Sequence, residues 1–158
     1  MGVEPTAASW LSRVTALRWT VKDSFVRYVQ GSGGSVTVVA PASVLDTGIT
    51  FPASGERGGL HRFAGGIVFS AHGGMLAVAI AEPAIADAGP DFVLSVADVR
   101  APHSDDARRP IATLRLDSLE DTEATMTPSL TIAGSAMFGM TYPEGFDMDA
   151  LTVTLARS

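Results

Sequence analysis

Residues 66–81 read Gly66-Ile67-Val68-Phe69-Ser70-Ala71-His72-Gly73-Gly74-Met75-Leu76-Ala77-Val78-Ala79-Ile80-Ala81. Two short apolar runs flank a reversal rich in glycine. The runs suit pleated strands, and the glycines supply the positive φ that a tight turn needs. The stretch reads as a hairpin, with strands over His61–Ala71 and Met75–Ala81 joined through Ala71-His72-Gly73-Gly74. Working outward, the same signature recurs in Val-rich Ser35–Ala40 and in Phe92–Val99, Ile111–Ser118, Pro128–Ala133 and Leu151–Ala156. Alternation is clearest where Thr113, Arg115 and Asp117 interleave with Leu114, Leu116 and Ser118. Pro83, Pro90, Pro102, Pro110, Pro128 and Pro143 punctuate the intervals, and Ala84–Gly89 reads as a loop. Many short strands at this spacing predict an all-β, antiparallel sandwich or barrel-like domain.

The exception lies before Gly31. Thr20 is placed to cap a helix, Asp23 follows three residues later, and Gly31 gives a stop, so one short amphipathic helix is expected at about residues 20–30. Val21, Phe25, Tyr28 and Val29 follow the spacing of one buried face. Ser24 and Tyr28, four apart, share a side of that helix. Residues 1–16 read as an N-terminal extension and 17–156 as the domain.

Composition limits the function. Charged residues are 18% against 46% hydrophobic, which suits a chain of 158 residues folding as one domain. The net charge of -6 without a basic stripe argues against nucleic acid as a partner. No apolar run is long enough for a transmembrane helix. The opening Met-Gly-Val-Glu-Pro-Thr lacks a basic, then apolar, secretory pattern, so a cytoplasmic location is the expectation. Cys is absent, which removes disulfides, thiolate metal sites and Cys nucleophiles. The metal chemistry left rests on three His, two Tyr, the carboxylates and Met.

Tyr28 has two readings. On an apolar helix face a tyrosine is commonly core, its hydroxyl satisfied by one partner. If the hydroxyl instead enters a cavity, its phenolate is an anionic ligand suited to ferric iron, as in proteins where Tyr is an axial haem ligand. The free phenol titrates near about 10, so a metal charge and a hydrogen-bond donor are needed to hold the ionised form. His72, at the hairpin end, is either that donor or a solvated turn residue. Tyr142, in Phe138-Gly139-Met140-Thr141-Tyr142-Pro143-Glu144-Gly145, either stacks on a flat ligand or plugs the end of the fold. Ser24 is a plain surface hydroxyl or a partner for a ligand carboxylate. His61 and His103 show no metal-ligand spacing, and His103-Ser104-Asp105-Asp106 is too compact for triad geometry.

Three segments together carry a resemblance. Leu17-Arg18-Trp19-Thr20-Val21-Lys22-Asp23-Ser24-Phe25-Val26-Arg27-Tyr28-Val29 resembles the opening motif of the HtaA-type haem-binding domain, roughly L-x-W-G-V-K-x-S-F-R-x-Y-I. Gly66–Leu76 is similar to the family's G-x-V-x-F-x-G-H-x-G-x-L, and Phe138–Gly145 to its late aromatic loop. The resemblance implies an antiparallel β fold with short helices that binds ferric haem (protoporphyrin IX) for haem transport. It implies Tyr28 as the iron ligand, His72 bonded to the ligating oxygen, Ser24 on a propionate and Tyr142 packed on the macrocycle. A second haem-transfer protein would be the natural partner. Thr20 and Thr141 depart from the family pattern, standing where Gly and an aromatic are usual. The competing expectation is an enzyme using the same pocket, a haem-dependent oxidase or a cofactor-free isomerase or cyclase. A purely structural β-sandwich is the third.

Overall fold

The computed structural model describes residues 9–45, 48–97 and 108–157. Its strands are β1 (Val14–Trp19), β2 (Ser35–Val39), β3 (Ser43–Leu45), β4 (Gly48–Arg57), β5 (Leu60–Phe63) and β6 (Gly66–Ala71). They continue as β7 (Leu76–Ala81), β8 (Ala84–Asp87), β9 (Phe92–Val96), β10 (Arg109–Leu119), β11 (Glu123–Leu130) and β12 (Leu151–Leu155). Two α-helices, α1 (Asp23–Gly31) and α2 (Ile132–Met137), accompany them, with 3-10 turns at Ser9–Arg13 and His72–Gly74.

Eight strands run β1-β12-β11-β10-β9-β8-β5-β4, and β4 pairs back onto β1, closing a barrel to which β3 adds as a flap. Closure rests on β1. Leu17 lies opposite Val153 on one side and Phe51 on the other, and Trp19 opposite Leu151 and Ile49. Inward positions along β11 and β12 alternate strictly, with Ala124, Met126 and Leu130, then Leu151, Val153 and Leu155, all buried. Each large side chain moved out of water contributes about 1.5–3 kcal/mol, so this lining holds the ring together. Trp10 and Leu11 are buried as well, and Trp10 packs tilted against Phe92 at 5.5 Å. The packed domain thus extends on the N-terminal side of Leu17.

The antiparallel barrel-like class agrees with the sequence reading, and the differences have local causes. His61–Ala71 is not one strand. It breaks at Ala64-Gly65, where Gly65 takes φ +98 and a Cβ would fall 2.5 Å from the Ala42 nitrogen. Opposite, Glu82 adopts φ +46, donates its N–H to the Gly65 carbonyl (2.8 Å) and accepts the Gly65 N–H on its carboxylate (2.8 Å). The long hairpin therefore bends at a corner. Its outer half, β5 with β8, belongs to the barrel, and its inner half, β6 with β7, joins β2 in a separate three-stranded sheet. Ala84–Gly89, expected as a loop, holds β8, because Ala84 and Ile85 are buried between β5 and β9. The strand expected over Pro128–Ala133 ends at Leu130. Thr131 accepts the Gly134 N–H on its hydroxyl (3.0 Å) and starts α2 instead. Residues 98–107, which include His103, lie outside the described residues.

The first helix also starts later than its sequence signals. Val21 sits at φ +62, a left-handed conformation a β-branched residue rarely adopts, and this turns the chain sharply between β1 and α1. Lys22 is the N-cap and makes no side-chain capping bond. Thr20 does not cap; its hydroxyl donates to Asp149 Oδ2 (2.9 Å).

Candidate functional site

Helix α1 packs on β2 and β6 through Phe25 and Val29, both buried. Tyr28 was expected on this buried face; it is 52% exposed. The stripe is only as wide as Phe25 and Val29, one turn apart, and Tyr28 falls on its flank. From there the ring extends beyond the helix toward the turn between β6 and β7.

His72 meets it there. The residue has φ +56, followed by Gly73 at +67 and Gly74 at +93. Histidine is among the few side-chain-bearing residues that tolerate this region, and the glycines carry the rest of the turn at little steric cost. Tyr28 Oη and His72 Nε2 are 2.7 Å apart and share a hydrogen bond whose direction depends on the imidazole tautomer. The ring centroids lie 5.8 Å apart at a tilt of 55°.

The pair stands over a cleft of about 540 Å³ lined by Phe25, Tyr28, His72, Leu76, Thr141 and Tyr142. That volume falls within the range of small-molecule and cofactor sites. Its floor is an aromatic cluster. Phe25 makes edge contacts with Phe69, Phe138 and Tyr142, and Tyr142 stacks on Phe146 at 4.8 Å and 23°. The Tyr142 loop is anchored by Ser135, a buried hydroxyl on α2 that donates to the Tyr142 carbonyl (2.6 Å). Large apolar side chains remain exposed beside the lining residues, Met75 at 91% next to Leu76 and Met140 at 70% next to Thr141.

Three residues singled out in the sequence therefore converge, Tyr28, His72 and Tyr142. Ser24 is exposed one turn before Tyr28 and lies outside the set lining the cleft. His61 is elsewhere, on β5 opposite Glu56 of β4. Burial lowers its pKa and Glu56 partly opposes that shift. Among the described residues no group of three or more His, Cys, Asp or Glu side chains is placed to hold a bare metal ion. Sequence reasoning missed Phe25 and Leu76 as lining residues, since an apolar side chain on a core face carries no mark of a ligand beside it.

The sequence profile of the HtaA family, described as Htaa, matches residues 15–154. The chain belongs to the HtaA family. Among solved structures, the C-terminal domain of HtaA from Corynebacterium glutamicum superposes with a TM-score of 0.70 at 26% identity, over 91% of this chain and 99% of that one. The N-terminal domain of the same protein gives 0.72 at 20% identity, over 92% and 99%. HtaB from that organism, a haem-binding protein, gives 0.71 at 19% identity, over 92% and 93%; at these two identities the likeness is one of fold. No curated protein matches the sequence. Among the described residues no helix is long and apolar enough to cross a membrane.

Proposed function

We propose that this HtaA-family domain binds ferric haem in the Tyr28–His72 cleft for haem transport, storage or transfer, with the Tyr28 phenolate as the axial ligand. The observation that carries the reading is a half-exposed tyrosine whose hydroxyl is held at 2.7 Å by an imidazole beside an aromatic cleft. A purely structural tyrosine gains little from that position. Membership of a family that includes haem-binding proteins supports the same ligand.

The donor set fits haem better than a free ion. Tyr28 and His72 give two donor atoms, and among the described residues no carboxylate or imidazole cluster completes a shell, so an iron centre that brings most of its own ligands suits them best. Porphyrin does so, and its flat apolar body suits Phe25, Leu76 and Tyr142. Haem bound here would supply a ferric centre, for which anionic oxygen is a preferred ligand.

The chain's own residues do the rest. In its phenol form Tyr28 donates to His72 Nε2; in its phenolate form it accepts from His72 Nε2–H. One 2.7 Å contact thus serves both protonation states and keeps the oxygen aimed the same way. The aromatic floor keeps water from one side of the cleft, which strengthens the interaction of any charge placed there. Ser24 stands exposed on α1 one turn before Tyr28, and its hydroxyl would serve a haem propionate. A haem donor or acceptor protein would meet the exposed rim at Met75 and Met140.

Hemin titration of the haem-free protein tests the assignment. Wild type gives a tyrosinate-type ferric spectrum, and Tyr28→Phe loses it while staying folded. The same spectrum and affinity in Tyr28→Phe would remove Tyr28 from the ligand role.

A further inference from the structure

Residues 19–23, which join barrel strand β1 to the helix carrying Tyr28, each make one contact with a single residue 126 or more positions away, Asp149. Trp19 Nε1 donates to the Asp149 carbonyl at 2.7 Å. Thr20 Oγ1 donates to Asp149 Oδ2 at 2.9 Å. The Val21 carbonyl accepts the Asp149 N–H at 3.1 Å. Lys22 Nζ lies 3.6 Å from Asp149 Oδ1. The Asp23 N–H, an orphan donor at the start of α1, donates to Asp149 Oδ2 at 2.7 Å. Asp149 therefore does the capping that Lys22, as N-cap, does not.

This clamp encloses the strained link. Val21 holds a left-handed conformation, which persists only where its surroundings over-determine it. Two of the five contacts come from the main chain of residue 149 and three from its carboxylate. The negative charge also lies at the positive end of the helix dipole.

The same residue also reaches the aromatic floor of the cleft. Lys22, paired with Asp149, places its ammonium 5.3 Å from the Phe146 ring, and Phe146 stacks on Tyr142. Tyr28 and Tyr142, both lining the cleft, are thus referred to one carboxylate.

We infer that Asp149 is the positioning residue of the haem site, fixing where α1 begins and hence where the Tyr28 oxygen stands relative to Tyr142 and His72. The inference rests on the haem reading above and goes beyond it in naming a residue that touches neither haem nor Tyr28. Asp149→Ala removes all three carboxylate contacts. Asp149→Asn keeps one oxygen able to accept the Asp23 N–H and loses the charge that pairs with Lys22.

The test combines haem-free and haem-loaded measurements, with Tyr28→Phe alongside. In the haem-free protein, Asp149→Ala speeds hydrogen exchange of the first-turn amides of α1 while barrel amides keep their protection. Loaded, it weakens haem retention by about 10–100-fold, the usual cost of losing a group that orients a ligand. It also diminishes the tyrosinate-to-iron band and raises the ferric/ferrous midpoint potential. Asp149→Asn stays near wild type in exchange and lies between the two in retention. Wild-type retention and spectrum in Asp149→Ala, with a normal tyrosinate spectrum lost in Tyr28→Phe, overturns the Asp149 inference alone. A tyrosinate band that survives Tyr28→Phe overturns the haem reading itself. If Asp149→Ala does not fold, wild-type retention in Asp149→Asn and equally fast loss of all amide protection overturn a local positioning role.

Discussion

Gly34 offers the sharpest test of how the Tyr28–His72 contact is held. It follows α1 and donates its N–H to the Val29 carbonyl at 2.9 Å, while passing directly under β6. A Cβ at this position would lie 2.3 Å from the Ser70 carbonyl oxygen and 2.9 Å from both the Ala71 Cβ and the Val29 oxygen. Ordinary contact begins at 3.4 Å, so Gly34→Ala must part the helix end from β6 by about 1 Å. Ser70 and Ala71 lead straight into His72. A displacement there, passed along β6 to His72, lengthens and weakens the 2.7 Å Tyr28–His72 contact. Overpacking of this kind costs about 1–3 kcal/mol, which lowers Tm by roughly 3–10 °C in a domain of this length. Gly31→Ala is the control. Nothing lies within 4 Å of its Cβ and its φ is not left-handed, so it is neutral or adds about 0.4–1 kcal/mol. Thermal unfolding of the haem-free proteins, followed by hemin titration, reads both effects. Equal Tm and equal haem uptake in Gly34→Ala and Gly31→Ala would refute the argument that this close approach sets the pair.

Three further outcomes are expected. His72→Ala weakens haem retention by about 10–100-fold without abolishing it, because the imidazole supports the ligating oxygen and does not replace it; dissociation followed by transfer to a haem scavenger measures this. His61, its pKa lowered by burial against the opposing pull of Glu56, is favoured neutral in the fold, so the unfolded chain takes up a proton first as pH falls. Its contribution to stability is whole above about pH 6.5 and is lost as pH drops through the lowered folded value; His61→Gln flattens the urea midpoint between about pH 8 and 5. Thr131→Ala removes the hydroxyl that accepts the Gly134 N–H and costs about 0.5–2 kcal/mol, read as a lower denaturation midpoint.

The hairpin around His72 was legible because its signals are local, apolar runs and glycines within twenty residues. Closure of the barrel was not. The pairing of β1 with both β4 and β12 depends on residues far apart in sequence, and no pattern within 14–19 announces two partners. β4 hid for another reason, since it carries Pro52 and ends in Gly55-Glu56-Arg57. The helix was found but misplaced at its start and turned on its axis. Thr20 looked like a cap because capping by Asp149 leaves no trace near residue 20, and Tyr28 looked buried because helical spacing cannot separate the centre of an apolar stripe from its edge. For the site, the three side chains with distinctive chemistry were visible, and the apolar ones that shape the cleft were not.

One seam of the ring joins its first strand to its last. Arg13 donates to the carbonyl of Ala156, 143 residues later, and the Ala156 N–H returns to the Arg13 carbonyl at 2.7 Å. Because β1 pairs with both β4 and β12, the ring is complete only when residues 151–155 take their place along its second edge. The cleft residues Tyr28, His72 and Tyr142 all precede β12 in the sequence, and so does Asp149. Loosening the last strand would therefore undo the ring without removing a single group that lines the cleft.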